Sequence, residues 1–311
     1  MSAALMLLVL IGLAATVWSA CFVGCSLNVA GTLSDYYQYQ STIQGTPGLV
    51  AFWPLDDASG TVAVDAGPNN FNGTYTVGPD VTTYSGDSDA SPGTFTLNQA
   101  NIVVGDTVSM NGGPAATNPC VYFNGGYVSV PWQAALSPPA PAKFTLEAWV
   151  VPNWTLADAQ ANPSVRAVAG AAPALGTPAV YSGFLLFASA ANLWSAAVGI
   201  GAQDVIVATG NNQTIVQGSL YFLVMTYDGS TLTLWVNPAD TTQPPDGTAA
   251  ASGYVPIPSP VPFYIGQGRP DLPTPRYPFN GSIQDVAFYN VVLDGKTIEQ
   301  HYLNGSGMQM S

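Results

Sequence analysis

Glu147, Glu299 and His301 are the side chains best suited to acid–base work in this 311-residue sequence; it has no other glutamate and no other histidine. Glycoside hydrolysis needs two carboxylates facing each other across a cleft, roughly 5–10 Å apart. Neither glutamate stands in an alternating acidic pattern that would set such a pair on one strand face. Glu147 is alone in Leu146-Glu-Ala-Trp149 and reads as a strand residue. His301 stands beside Tyr302 in a short helical tail, where a single histidine reads as a packing or capping residue. No Ser-His-Asp arrangement, P-loop or zinc-ligand spacing accompanies them. Hard oxygen donors offer a different chemistry. Asp65, Asn70 and Asn72 occupy a Gly/Pro turn, and calcium takes carboxylate and amide oxygens. The same residues read equally well as plain turn formers that need no ion. Trp154, Trp194 and Trp235 are candidates to stack on sugars, although Trp53, Trp149 and Trp235 lie in strands and suit a core.

The balance of charge narrows the partners. Only 7% of residues are charged, with 18 acidic against 5 basic side chains and a formal net charge of -13. Such a surface repels phosphate backbones and anionic headgroups, so nucleic acid is excluded as a partner. Lys143, Arg166, Arg269, Arg276 and Lys296 are scattered. Low charge with abundant Thr, Ser, Asn, Gly and Pro suits a secreted, surface or virion protein. Asn-x-Ser/Thr sequons stand at Asn72, Asn153, Asn212, Asn280 and Asn304, a number close to chance for this composition.

Ser2 to Leu27 carries no charged side chain, and its apolar part, residues 3–25, has the length of a membrane-spanning helix. A cleaved signal would show a basic n-region and a shorter apolar stretch. The segment therefore reads as an uncleaved N-terminal membrane anchor. A processed signal or lipoprotein signal at Phe22-Val-Gly-Cys25, and a helix buried in a protein assembly, are the other readings. No basic residue nearby sets the orientation. Cys21 and Cys25 lie one helical turn apart and read as small apolar residues of the anchor, with lipidation or a cross-link as sharper readings. Cys120 reads as a core thiol, and no disulfide framework is implied.

Three regions follow: 1–27 anchor, 28–47 linker, 48–311 β-sandwich. The linker carries Tyr36-Tyr-Gln-Tyr39, which suits either the membrane interface or the base of the sandwich. Leu49–Trp53 reads as a strand buried on both faces. Residues 78–118 read as a long excursion with a short strand at Ile102–Val104. Cys120–Phe123 reads as a strand, and Phe123–Pro131 as a hairpin. Phe144–Pro152 is a strand that ends at proline. Residues 153–178 form a second, Ala- and Pro-rich excursion. Strands resume at Tyr181–Phe187, Leu193–Gly199 and Val205–Ala208. Leu220–Val236 is two strands joined at Asp228-Gly229, and Pro238–Pro262 is a third loop. Phe263–Gly266, Phe279–Asn290 and a helical tail from Asp294 to Leu303 close the chain. Many short strands punctuated by turns argue for an all-β, two-sheet antiparallel sandwich or jellyroll.

Five segments in order give a resemblance over about Gly48 to Leu303. They are Leu49–Asp56, Phe123-Asn-Gly-Gly-Tyr-Val-Ser-Val-Pro131, Phe144–Val150, Thr226–Gly229 and Gly281–Asn290. This order resembles the LamG-like, concanavalin A-like lectin/glucanase superfamily. The resemblance implies a jellyroll whose first and last strands are neighbours. It also implies a structural calcium near those strands, which Asp65, Asn72 and Asp285 would hold. Glucanases on this fold carry a Glu-x-Asp-x-x-Glu strand, which this sequence lacks. The family's Trp-His-His is replaced here by Leu220-Tyr-Phe222. The Val-Asp-Gly turn after the hairpin becomes Val236-Asn-Pro238, extended by a Pro-rich insertion. The resulting expectation is a non-catalytic structural or adhesion subunit. It would be membrane-anchored through residues 3–25, extracytoplasmic or on a particle surface, and part of a larger protein assembly. A carbohydrate-binding module and a glycoside hydrolase are the alternatives.

Overall fold

The computed structural model describes residues 38–78, 92–104, 107–108, 116–117, 119–171, 181–201, 204–208, 214–268 and 277–308. The chain opens with helix α1 (Gln38–Gly45), then β1 (Leu49–Trp53), β2 (Val62–Ala63), β3 (Gly73–Thr76), β4 (Thr94–Gln99), β5 (Thr107–Val108) and β6 (Ala116–Thr117). It continues through β7 (Cys120–Asn124), β8 (Tyr127–Val130), β9 (Phe144–Pro152), α2 (Leu156–Ala161), β10 (Arg166–Ala171), β11 (Phe184–Ala188), β12 (Trp194–Gly199) and β13 (Asp204–Ala208). It ends with β14 (Tyr221–Tyr227), β15 (Thr231–Val236), β16 (Gly247–Ala250), β17 (Phe263–Ile265), β18 (Asn280–Tyr289) and α3 (Gly295–Ser306).

Two antiparallel sheets face each other. One runs β16-β15-β14-β9-β18-β7-β4, with β1 also paired to β18; the other runs β13-β12-β11-β10-β17-β8-β3-β2. The first and last strands of the sandwich are thus neighbours, as the jellyroll reading expects, with Phe52 opposite Ala287. Between the sheets lies a core that includes Leu146, Ala148, Val150, Phe184, Leu186, Leu223, Met225 and Phe288. The central strand β9 is buried along nearly its whole length because both of its faces are covered. Leu146 and Ala148 face the other sheet, while Glu147 and Trp149 point outward, under α1 and α3. There Tyr39, Ile43, Trp149, Phe222, Tyr289 and Ile298 form a second core.

Local chemistry explains the elements that seat this helical layer. Asp294 caps α3 by accepting the Thr297 N–H at 2.8 Å, and Gly307 ends it in a left-handed conformation, φ 73°. Gly305 lets α3 lie against the sheet, since a Cβ there would come within 2.3 Å of Trp149 Cζ2. The Asp228-Gly229 turn forms as expected, with Asp228 Oδ1 accepting the Ser230 and Thr231 N–H groups.

Several sequence expectations are corrected. Phe123–Pro131 is no hairpin: β7 lies in one sheet and β8 in the other, and Gly125 (φ 82°) and Gly126 turn the chain between them. A Cβ on Gly126 would lie 2.6 Å from the Thr94 backbone. Ile102–Val104 forms no strand. The Ile102 N–H bonds the Gln284 side chain, and Asn101 holds both the N–H and the carbonyl of Val103. The strands in that excursion are β4, β5 and β6. The other two excursions contain α2, β10 and β16. Within the expected linker, α1 packs on the sandwich, and Tyr39 meets Trp149 edge-on with ring centroids 6.0 Å apart. Tyr39 thus packs on the sandwich. Tyr36, Tyr37, Cys21, Cys25 and the expected anchor lie outside the described residues. Among the described residues no helix is long and apolar enough to cross a membrane.

Candidate functional site

The strongest grouping of chemically capable side chains lies in the helical layer. Glu147 comes from β9, Tyr289 from β18, His301 from α3, and Thr46 from the chain just past α1. Glu147 and His301 are both 0% exposed. His301 Nδ1 lies 3.1 and 3.0 Å from the two carboxylate oxygens of Glu147. The Tyr289 hydroxyl donates to Glu147 Oε1 at 2.9 Å. On the far side of the ring, His301 Nε2 lies 3.0 Å from Thr46 Oγ1. Burial, then the charge of Glu147 and its hydrogen bond, then the charge of Asp285, hold the Tyr289 phenol well above its ordinary range, so it stays a donor.

Carboxylate, imidazole and hydroxyl in sequence have the connectivity of a nucleophilic triad, but the hydrogens run the wrong way. A threonine hydroxyl has one hydrogen. Thr46 gives it to the Thr42 carbonyl at 2.7 Å, the last turn of α1. Its bond to His301 is therefore one that it accepts from Nε2–H. A hydroxyl nucleophile needs a nitrogen lone pair beside it to take its proton, and Thr46 faces a donor. What the arrangement does is join α1, α3, β9 and β18 at one buried point. An open pocket of about 540 Å³ adjoins it, lined by Thr42, Thr46, Leu293, Asp294, Thr297 and His301 among others. Asn304 Nδ2 adds a bond to Thr42 Oγ1 at 3.1 Å. The other glutamate, Glu299, accepts from Thr241 N and Thr241 Oγ1, both at 3.0 Å.

The expected calcium ligands are distributed around β1. Asp65 and Asn72 come together, the Asp65 N–H donating to Asn72 Oδ1 at 2.8 Å. Asp65 Oδ1 accepts the N–H groups of Phe52 and Gly67, both at 2.8 Å, and Oδ2 accepts that of Phe71 at 2.6 Å. The Phe52 carbonyl is also taken, by the Ala66 N–H. This turn therefore sits on the edge of β1 that faces away from β18. Asp285 is on β18 itself, where its N–H reaches the Pro54 carbonyl, so β1 stands between it and Asp65. Asn70 adopts φ 53° in the same turn as Asp65. Among the described residues no three His, Cys, Asp or Glu side chains are grouped to hold a metal.

Trp154 and Trp194 are corrected from sugar-stacking candidates to core residues. Both are buried, with ring centroids 6.3 Å apart. Trp154 Nε1 donates to Asn192 Oδ1 at 2.8 Å, and the Arg166 guanidinium lies 4.8 Å over its ring. Trp235 is half-buried against the helical layer. Cys120 is buried and donates to the Ala100 carbonyl; burial pushes its thiol upward. Sequence reasoning missed Tyr289 as a partner of Glu147 and Thr46 as a partner of His301. The available signal was the single acid in an otherwise apolar strand, which must find a donor if buried.

A family model of the laminin G kind, described as Concanavalin A-like lectin/glucanases superfamily, matches residues 124–299. The chain belongs to this family. The matched span of this concanavalin A-like chain runs from β7 into α3. No curated protein matches it in sequence. Among solved structures it is similar to Trypanosoma rangeli sialidase, at 17% identity and TM-score 0.49, covering 92% of this chain and 39% of that one. It is also similar to the binding domain of Botulinum neurotoxin DC in complex with rat synaptotagmin II. That match has 11% identity and TM-score 0.47, and covers 82% of this chain and 51% of that one. The chain thus spans well under half the length of the sialidase. Fold similarity of this order transfers no function.

Proposed function

We propose that this concanavalin A-like sandwich is a non-catalytic structural or adhesion subunit of a larger assembly. In this reading it is held extracytoplasmically, or on a particle surface, by the apolar segment 3–25. One observation carries the non-catalytic part. The chain's single histidine and one of its two glutamates are fully buried and committed to each other, with the adjoining hydroxyl oriented as an acceptor. The weak charge supports the assembly part, because surfaces with little charge lose little on desolvation against a protein partner. The anchor rests on the length and apolarity of residues 3–25.

Two assays test the reading. Glu147→Gln and wild type are compared for cleavage of a polysaccharide panel. Equal, background-level values are expected, and a turnover abolished by the substitution would make the protein a hydrolase. The family description, which includes lectins, favours a second reading, a carbohydrate-binding module. A glycan array with and without calcium separates it: saturable binding to one glycan class would replace the assembly reading.

A further inference from the structure

The sequons differ sharply in what their asparagine amides do. Asn153 donates from Nδ2 to the Tyr122 hydroxyl at 2.6 Å and accepts from Gln217. Asn280 stands within β18, between β7 and β9, and accepts from the Tyr122 hydroxyl at 2.8 Å. Asn304 lies inside α3 with Nδ2 on Thr42 Oγ1. The Asn212 sequon lies outside the described residues. Asn72 is unlike these. Like Asn153 it is exposed, but it precedes β3 in a turn and uses only Oδ1, which accepts the Asp65 N–H. Its Nδ2 makes no hydrogen bond with any described residue.

A second observation concerns the same edge. The β2–β3 register sets Ala63 opposite Gly73, so Asn72 follows on across from Val64. β2 is the terminal strand of its sheet. Its apolar side chains are open: Val62 within it is 49% exposed, and Val64 just after it 47%. The Asp57 carboxylate accepts the Val64 N–H at 3.4 Å, but exposed valines on a terminal strand still favour unwanted pairing unless something covers them.

We propose that Asn72 is an N-glycosylation site whose glycan covers the exposed edge at β2. The proposal rests on the extracytoplasmic placement given above. The donor is an oligosaccharide on a polyprenyl pyrophosphate, and the host's transferase supplies the catalysis. The bond from glycan C1 to the pyrophosphate oxygen breaks and the C1–Nδ2 bond forms. One amide proton is lost and polyprenyl pyrophosphate leaves. The amide oxygen is untouched, so the bond from the Asp65 N–H survives the modification.

The full chain is expressed through a eukaryotic secretory pathway with Asn212→Gln in every arm. A control sequon is appended after Ser311. Occupancy is read by intact mass before and after peptide N-glycosidase. Thr74→Ala removes the sequon while keeping Asn72 and its turn bond; Asn72→Gln is the second variant. A glycan at Asn72 that Thr74→Ala abolishes, with more dye-binding apolar surface in the Thr74→Ala protein, is the expected result. Occupancy of Asn153, Asn280 or Asn304 without Asn72 overturns the proposal. So does a bare Asn72 beside an occupied control sequon. An occupied Asn72 with unchanged dye binding in Thr74→Ala overturns the covering role. A bare control sequon means the sandwich was not translocated, which overturns the extracytoplasmic reading and this proposal with it.

Discussion

From one ring His301 bonds Glu147 on β9 and Thr46 just past α1, so its removal should be costly out of proportion to its size. His301→Ala leaves the Glu147 carboxylate buried without its main partner, which typically destabilises by about 3–5 kcal/mol. Replacing both members by leucine should recover most of that loss, because no uncompensated charge then remains. Urea unfolding of the single and double variants measures it. A single-variant loss below about 1 kcal/mol would show that the pair does not hold the helical layer. Asp56 gives a pH test of opposite sense. Burial first, and the charge of Asp57 second, hold its carboxyl above the ordinary carboxylate range. The folded protein therefore binds this proton more tightly than the unfolded chain does. The stabilisation is full below the unfolded-state value, about 3.9, and is lost as pH rises through the higher folded-state value. Asp56→Asn should accordingly raise Tm at pH 7, by an amount that shrinks on acidification. An increment constant across pH would contradict the assignment. At this scale the sequence was legible only in part. Glu147 and His301 stood out by type, but nothing local announced that Thr46, 255 positions from His301, would complete the set.

At the level of elements, α1 is the joint between the N-terminal segment and the sandwich. A chain starting at residue 48 lacks Tyr39 and Ile43 over Trp149 and Phe222, and lacks Thr46 on His301. It should bind apolar dyes and unfold at a lower temperature than a chain starting at residue 38; equal melting curves would contradict this. The turn at Asp65 yields another test. Asp65→Ala strips the buried Phe52 N–H of its acceptor, a loss of about 1–3 kcal/mol for that group alone. Chelator should leave the melting curve of the sandwich unchanged, because N–H donors already occupy the Asp65 oxygens. A fall in Tm that Asp285→Ala abolishes would instead reveal an ion. The strands that read well, β1, β9, β14 and β18, are rich in large apolar residues. β4, β10 and β16 were missed because Thr-Phe-Thr-Leu-Asn-Gln, Arg-Ala-Val-Ala-Gly-Ala and Gly-Thr-Ala-Ala carry small or polar side chains at pattern-setting positions. α1 was missed because only Tyr39 and Ile43 mark its buried face. The corner between β7 and β8 looked like a hairpin because Gly125-Gly126 satisfies either geometry.

For the whole molecule, the order of five weak segments was enough to indicate the fold, since each constrains where the next must lie. Function was less legible, because in such sandwiches it resides in loops and surfaces. The central claim is that the chain works as a non-catalytic part of something larger. The most direct test is the mass of the full chain after mild detergent extraction from its native source. Light scattering and gel staining report size and stoichiometry together. The account predicts a particle well above the mass of one chain, with partners at fixed stoichiometry. A monodisperse single chain, stable after gentle extraction and free of partners, would contradict it.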